Sequence, residues 1–459
     1  MSSCKRFLAA MLAASAMAAM TACTTGGSSS STSTTASTET STETSTEASS
    51  ESGESSASGE TLSNEERFAT LENPNITIFG DAPGTNADSD AKVAEFEEKY
   101  GGTVTILTEK NSVENMLKFI AAGNPPDVVS LSNNRQADMI VNAALMPLEE
   151  LADLSDPVFE PAYMEYGTWR GHVYAVGPMA MQKAIVYNKT MFENNGLKTP
   201  YEYYKEGNWN FDTFMECARA LTQDTNGDGT IDQWGFGSQS WQYPLAQMNG
   251  GGDFVFNKEE PTIDIIISSP ETIEALQMYQ DALLKDKCIA DTPDNRQAFM
   301  DGTIAMVFET TGTMTNFKKN MNAELDFVDY PVGPSGDPMA QATSQSRYGV
   351  PAAAKNPEGG MAWIYYMELV GREEELKESI VPLLGEERWE EIKNTEYNFI
   401  LQQSMFTSSI LTEANEKFNE DFMAGVPVAT IVASIEPMYR QAADEWLKTE
   451  AAAWENANK

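Results

Sequence analysis

Asp224, Asn226, Asp228, Thr230 and Asp232 occupy positions 1, 3, 5, 7 and 9 of one short loop, with Gly229 at position 6. Alternate residues of a tight loop point inward, so three carboxylates, an amide oxygen and the Thr230 carbonyl can surround one ion. A hard cation such as calcium takes about six to eight oxygen ligands, and that is the chemistry these residues suit. Position 12 is Gly235, where an EF-hand has a bidentate glutamate. The expectation is a structural calcium remote from transport chemistry, with a metal-free acidic turn as the alternative. His172 is the only histidine in the chain. A zinc site built on two histidines is therefore excluded, and a serine or cysteine triad would have to recruit His172 itself. It follows Arg170 and Gly171 in a turn-like stretch, which places it at the surface.

Cys23 is placed for a different chemistry. Lys5 and Arg6 precede an apolar run from Phe7 to Met20, and Thr21 and Ala22 lead into the cysteine. The run is too short to span a bilayer, and the order basic, apolar, small is that of a secretory signal peptide over residues 1–22. Met20-Thr21-Ala22-Cys23 resembles a bacterial lipobox, which implies that Cys23 becomes the acylated first residue of the exported protein. From Thr24 to Glu66 the chain repeats Ser, Thr and Glu with almost no large apolar side chain. Such a segment cannot bury enough surface to offset the entropy of ordering. Residues 23–66 therefore read as a lipidated cysteine and disordered tether, with a reach of roughly 35–40 Å. Two acyl chains would anchor it stably to the outer face of the cell membrane.

No later stretch is apolar enough to span a bilayer, so residues 67–459 must be positioned as a folded body held outside the cell. Its length exceeds what one core usually holds, and two lobes are expected. The chain carries a net charge of −39; setting aside two basic residues in the leader and eight acidic ones in the tether leaves −33 on this body. That surface repels phosphate backbones and anionic headgroups, which argues against nucleic acid and direct membrane recognition. Within it, Cys217 and Cys288 fall in helical patterns, where buried free thiols and a disulfide both fit. Residues 75–79, 103–107, 127–131, 184–187, 304–308 and 325–329 read as strands. Residues 91–100, 112–122, 211–221, 271–285, 358–370 and 436–450 read as helices. The alternation predicts a layered α/β fold with mainly parallel sheets.

Local motifs are more specific than periodicity. GNPPDVVSL, ALMPLEEL, GHVYAVG with AIVYNKTMFENNGL, NWNFDTF, GTIAMVFETTG and YGVPAAAKNPEGGMAWIYYMEL follow one another within residues 74–450. The series resembles the family 1 extracellular solute-binding proteins, which capture substrates, many of them sugars, for ABC importers. The resemblance implies a two-lobed, type II periplasmic-binding-protein-like clamp, a monomer, that closes on a small solute and docks on an ABC permease. It implies crossings between lobes near Val176–Met181, Tyr330–Pro334 and Val370–Glu373. Lobe 1 would comprise about residues 74–178 and 334–370, and lobe 2 about 179–333 and 371–459. Such hinges need only a few residues able to absorb rotation.

In layered α/β folds ligands sit beyond the carboxyl ends of strands. That rule nominates Asp81 after the first strand, Ser132 and Asn133 after DVVSL, and Thr310 and Thr311 after IAMVFE; the first crossing adds Met179 and Met181. A sugar site also needs aromatic faces for ring C–H patches. Trp241, in SQSWQYP, is the first stacking candidate, followed by Tyr348 beside Arg347. Relatives often carry an aromatic residue where this chain has Glu309-Thr310-Thr311. Trp209, Trp234 and Trp363 fall in packing patterns, and Trp169 has no assigned place. Arg347 is the only cation among these residues, which disfavours anionic cargo. The expected cargo is a mono- or oligosaccharide. The alternatives are the same clamp with a non-sugar solute, or an exported glycosidase with paired carboxylates, for which no motif nominates a pair.

Overall fold

The computed structural model describes residues 62–457 apart from 81–86, 108, 110–111, 132, 179–180, 238–241, 258–259, 291, 293, 345, 396 and 402–407. The leader, Cys23 and most of the tether lie outside the described residues. In chain order the strands are β1 (Ile76–Phe79), β2 (Val104–Leu107), β3 (Val128–Leu131), β4 (Thr168–Trp169), β5 (His172–Val173), β6 (Met181–Asn188), β7 (Trp234–Gly237), β8 (Phe254–Asn257), β9 (Thr262–Ile265), β10 (Ile289–Ala290), β11 (Ile304–Thr310), β12 (Leu325–Val328), β13 (Ala340–Ser344), β14 (Arg347–Gly349) and β15 (Asn398–Leu401). One sheet has the order β14-β3-β1-β2 and a second the order β10-β7-β11-β6-β13-β15, with β12 also on β6. Two hairpins, β4-β5 and β8-β9, stand apart.

The first sheet is parallel except for β14. The second is mixed, because β6 runs antiparallel to β11, β12 and β13. This corrects the expectation of mainly parallel sheets. The cause is the route of the chain: β6 enters the second lobe from the first, whereas β11 and β13 run back towards the entry point.

The motifs act as fasteners. In NWNFDTF, Asn210 caps the helix Phe211–Ala220 by accepting from Asp212 N at 3.0 Å and Thr213 N at 3.2 Å, a contact of about 1 kcal/mol. Trp209 donates its indole N–H to the Asp329 carbonyl at 2.7 Å. In NPEGG, Asn356 caps the helix Pro357–Trp363 and donates to the carbonyls of Asn73 and Asn75 at 2.8 and 2.9 Å. A Cβ on Gly360 would stand 2.3 Å from the Asp127 carbonyl oxygen, so only glycine lets this helix lie on the first sheet. Asn188 of the YNK motif caps the helix Lys189–Asn194 in the same way, accepting from Met191 N at 3.1 Å.

Ordered structure starts earlier than Arg67. Ser63 and Glu66 form a capping box around the short helix Asn64–Arg67, and the buried Asn64 donates to Asp153 O at 2.7 Å and Asp156 Oδ2 at 3.1 Å. The end of the Ser/Thr/Glu tract is thus part of the first lobe, because polar side chains there find polar partners instead of an apolar core.

The chain crosses between sheets at three places. Val176 still pairs with Tyr348 of the first sheet, and Met181 opens β6 of the second. The return does not occur at Tyr330–Pro334. β13 pairs with β6 and β15 up to Ser344, and β14 pairs with β3 from Arg347. The Gly and Pro residues of 330–336 instead turn an excursion between β12 and β13. The third passage lies at Val370–Gly371, where Gly371 has φ +81° and separates the π-helical turn Ile364–Leu369 from the helix Arg372–Leu384.

The helix Val428–Ala457 is longer than the sequence reading and runs through Pro437. Its first half is buried in the second lobe, with Val428, Ile431, Val432 and Ile435 in the main core. Its far end reaches the β4-β5 hairpin of the first lobe, where Glu450 accepts from Trp169 Nε1 at 2.9 Å and from Arg170 Nε and Nη2 at 2.7 and 2.8 Å. Trp169 also meets Trp446 edge to face, with ring centres 5.5 Å apart. Trp169, unassigned from sequence, is therefore part of a brace between lobes. Among the described residues no helix is long and apolar enough to cross a membrane.

Candidate functional site

The first and second crossings run side by side, since Val176 pairs with Tyr348 and Met181 with Ser344, and strand ends of both lobes border them. On the second lobe these ends belong to β6, β11 and β13; on the first, to β3 and β14. Asn133 opens the helix that follows β3, Met181 opens β6, and Thr310 closes β11. Asp81, Ser132, Met179 and Trp241 lie outside the described residues, so the stacking role of Trp241 is carried forward as a proposal. Thr310 Oγ1 is 3.1 Å from Thr313 Oγ1. Thr311 is buried at the start of the helix Thr311–Asn320.

Two nominated residues are buried in contacts of the fold. Tyr348 is 9 % exposed and sits in the first lobe's core with Ile76, Ile78 and Trp363, while its backbone exchanges hydrogen bonds with Val176 at 2.7 and 3.0 Å. Arg347 is 4 % exposed and donates to the Tyr166 carbonyl at 2.9 Å, and burial lowers its guanidinium to about 10. Gln136 donates to the same carbonyl at 2.8 Å. Both are buried for one reason: residues 347–349 add a strand to β3, and that pairing has no local signal in the sequence.

Lys183 is the cation the sequence reading missed. It lies in β6 opposite Thr310, with its ammonium 5.9 Å from the centre of the Phe308 ring. Burial lowers it to about 8. Its place in the run KAIVY, which reads as a core strand, concealed it. Phe308 packs on Tyr330, ring centres 4.2 Å apart.

Elsewhere the second lobe holds a cavity of about 600 Å³ between Tyr204, Trp209, Asp329, Gly333 and Met339. It lies under the β12-β13 excursion and includes none of the nominated residues. Burial raises the Asp329 carboxyl within it to about 7, although the Tyr397 hydroxyl works against the shift.

The acidic loop is closed by its own backbone. Asp224 accepts from Gly227 N and Gly229 N, each at 2.7 Å, Asp228 from Thr230 N at 2.8 Å, and Asp232 from Thr225 N at 2.9 Å. Among the described residues no group of three or more His, Cys, Asp or Glu converges as a metal site. His172 is exposed and 2.6 Å from Glu149. Cys217 and Cys288 are buried free thiols, raised by burial to about 12 and 11. Trp209 and Trp363 are buried, and Trp234 packs against a core cluster, as their patterns predict.

Among solved structures, the fold is similar to ABC substrate-binding protein Lmo0181 from Listeria monocytogenes in complex with cycloalternan, at 18 % identity and TM-score 0.61, over 82 % of this chain and 99 % of that one. UgpB from Mycobacterium tuberculosis with glycerophosphocholine gives 17 % and 0.62, over 81 % and 99 %. The maltose/maltodextrin-binding domain MalE from Bdellovibrio bacteriovorus bound to maltotriose gives 16 % and 0.58, over 80 % and 99 %. These likenesses establish the two-lobed, type II periplasmic-binding-protein fold. No curated protein sequence matches the chain. The family profile of the bacterial extracellular solute-binding proteins matches residues 91–368, well over half of the chain, and to that family this protein belongs.

Proposed function

We propose that this protein is the solute-capturing component of an ABC importer, tethered outside the cell through Cys23, which traps a small hydroxylated solute by closing its lobes and delivers it unaltered to a membrane permease. The observation that carries this reading is the set of short passages between the two sheets, from Val176 to Met181, from Ser344 to Arg347 and at Val370–Gly371. A clamp hinged in this way converts contact with both lobes into closure. Family membership supports the transport role, and the neighbours solved with cycloalternan, maltotriose and glycerophosphocholine support small, hydroxyl-rich cargo. Trp241 is the residue proposed to stack on a sugar ring. The loop Asp224–Asp232 is proposed to take a structural calcium, for which its three carboxylates would turn from backbone N–H groups to the ion.

A thermal-shift screen against mono- and oligosaccharides, with and without calcium, tests both statements. A ligand that binds only the native state raises the melting temperature. At least one saccharide is expected to do so, and calcium is expected to do so without sugar. Recovery of the bound saccharide in hydrolysed form would assign the protein to the glycosidases instead, and no shift at about millimolar calcium would remove the ion.

A further inference from the structure

Beside the brace lies a cavity of about 430 Å³, within the roughly 300–1,000 Å³ usual for small-ligand sites. Met146 and Glu150 of the ALMPLEEL stretch, Trp169 and His172 of the β4-β5 hairpin, and Tyr174 line it, and Trp454 of the helix Val428–Ala457 completes it. Its wall is thus drawn from both lobes. Aromatic rings dominate that wall: the His172 ring centre stands 6.3 Å from that of Tyr174 and 6.4 Å from that of Trp454. Trp454 already meets one cation, the Arg170 guanidinium, 4.9 Å from its ring centre.

The charges around these rings are mostly negative. Burial pushes the Tyr174 hydroxyl up to about 12, with Glu149, Glu450 and Glu150 adding to the rise and Arg170 opposing it. Arg170 is held by both oxygens of Glu450, while Glu149 stands 2.6 Å from His172 Nδ1 and accepts from Val173 N at 3.2 Å. Glu150, on the cavity wall, makes no ion pair among the described residues. The turns that border the cavity also hold unusual backbone, with φ +49° at Ala143 and +50° at Arg170. Non-glycine residues keep such angles where the surrounding structure over-determines them, as at ligand clamps.

We propose that this cavity is a second binding site, which takes an organic cation: a protonated or quaternary amine on an apolar body. An ammonium is drawn to the faces of Trp and Tyr rings, the more strongly where water is displaced. The apolar body gains by burial against Met146 and the rings, and Glu150 supplies the counter-charge. An anion would instead meet three carboxylates on a body of charge −33. Because Trp454 stands on a helix rooted in the second lobe and the rest of this wall belongs to the first, a bound molecule favours the arrangement of lobes in which the two meet.

Calorimetric titration of the full chain and its W454A and E150Q variants tests the site. The probes are tryptamine, tryptophol and indole-3-acetate, which place a cation, a neutral alcohol and an anion on the same indole ring. Tryptamine is expected to bind the wild type roughly 10-fold more tightly than tryptophol, with indole-3-acetate weaker still. It should lose roughly 10-fold in affinity in W454A and roughly 3-fold in E150Q. Should W454A fail to fold, E150Q and the order of the three probes on the wild type decide. Tryptophol or indole-3-acetate binding as tightly as tryptamine overturns the choice of a cation. Tryptamine binding W454A as tightly as wild type places the cation elsewhere and overturns the site, as does no binding of tryptamine at all. None of these results bears on solute capture, which the saccharide screen tests separately.

Discussion

The carboxylate of Asp127 accepts from Thr77 N and from Asn356 N, both at 2.9 Å, and so joins β1 to the cap of the helix Pro357–Trp363. It is 6 % exposed, so no water can replace it easily. Asp127→Ala strands two buried N–H donors and should cost about 3 kcal/mol in urea denaturation, with ligand affinity unchanged in the protein that remains folded. A cost below about 0.5 kcal/mol would show that the carboxylate does not organise this lobe. Side chains of this kind are half legible in the sequence. The packing roles of Trp209 and Trp363 follow from periodicity, and Asn356 before Pro357 announces a helix start. The burial of Tyr348, Arg347 and Lys183 was not legible, because it depends on strand pairings between residues far apart in the chain.

The first crossing and the first sheet's strands can be read from local residues, since Gly and Pro break an apolar run where the chain changes direction. The second crossing cannot. Its Gly and Pro cluster belongs to the β12-β13 excursion, while the passage itself lies between Ser344 and Arg347, where no Gly or Pro marks it. The brace made by the helix Val428–Ala457 is likewise hidden, because Glu450 and Trp169 meet across most of the sequence. Glu450 is 2 % exposed; burial acts to raise its carboxyl, but hydrogen bonds from Arg170 and Trp169 outweigh this and hold it below its ordinary value of 4.5. A carboxylate depressed in the folded state stabilises above its unfolded value and loses that contribution as pH falls through the folded one. Glu450→Gln should therefore cost about 2–3 kcal/mol at neutral pH. Its deficit relative to wild type should shrink between about pH 5 and pH 3, as followed by thermal unfolding. A deficit that stays constant with pH would mean that packing, and not the Arg170 pair, holds the brace.

For the whole molecule, length and charge pointed to two lobes repelling nucleic acid, and the motif order pointed to a clamp. Two sheets joined by three short crossings fit that outline, with the C-terminal helix as an added tie that opening must bend or carry along. The cargo was not legible, since a groove's selectivity rests on loop residues and on strand ends brought together only by folding. Capture by a clamp requires closure. Small-angle X-ray scattering of the full chain, with and without each solute that raises its melting temperature, measures it directly. A smaller radius of gyration with bound solute is the predicted result, and an unchanged one at saturation would contradict a clamp.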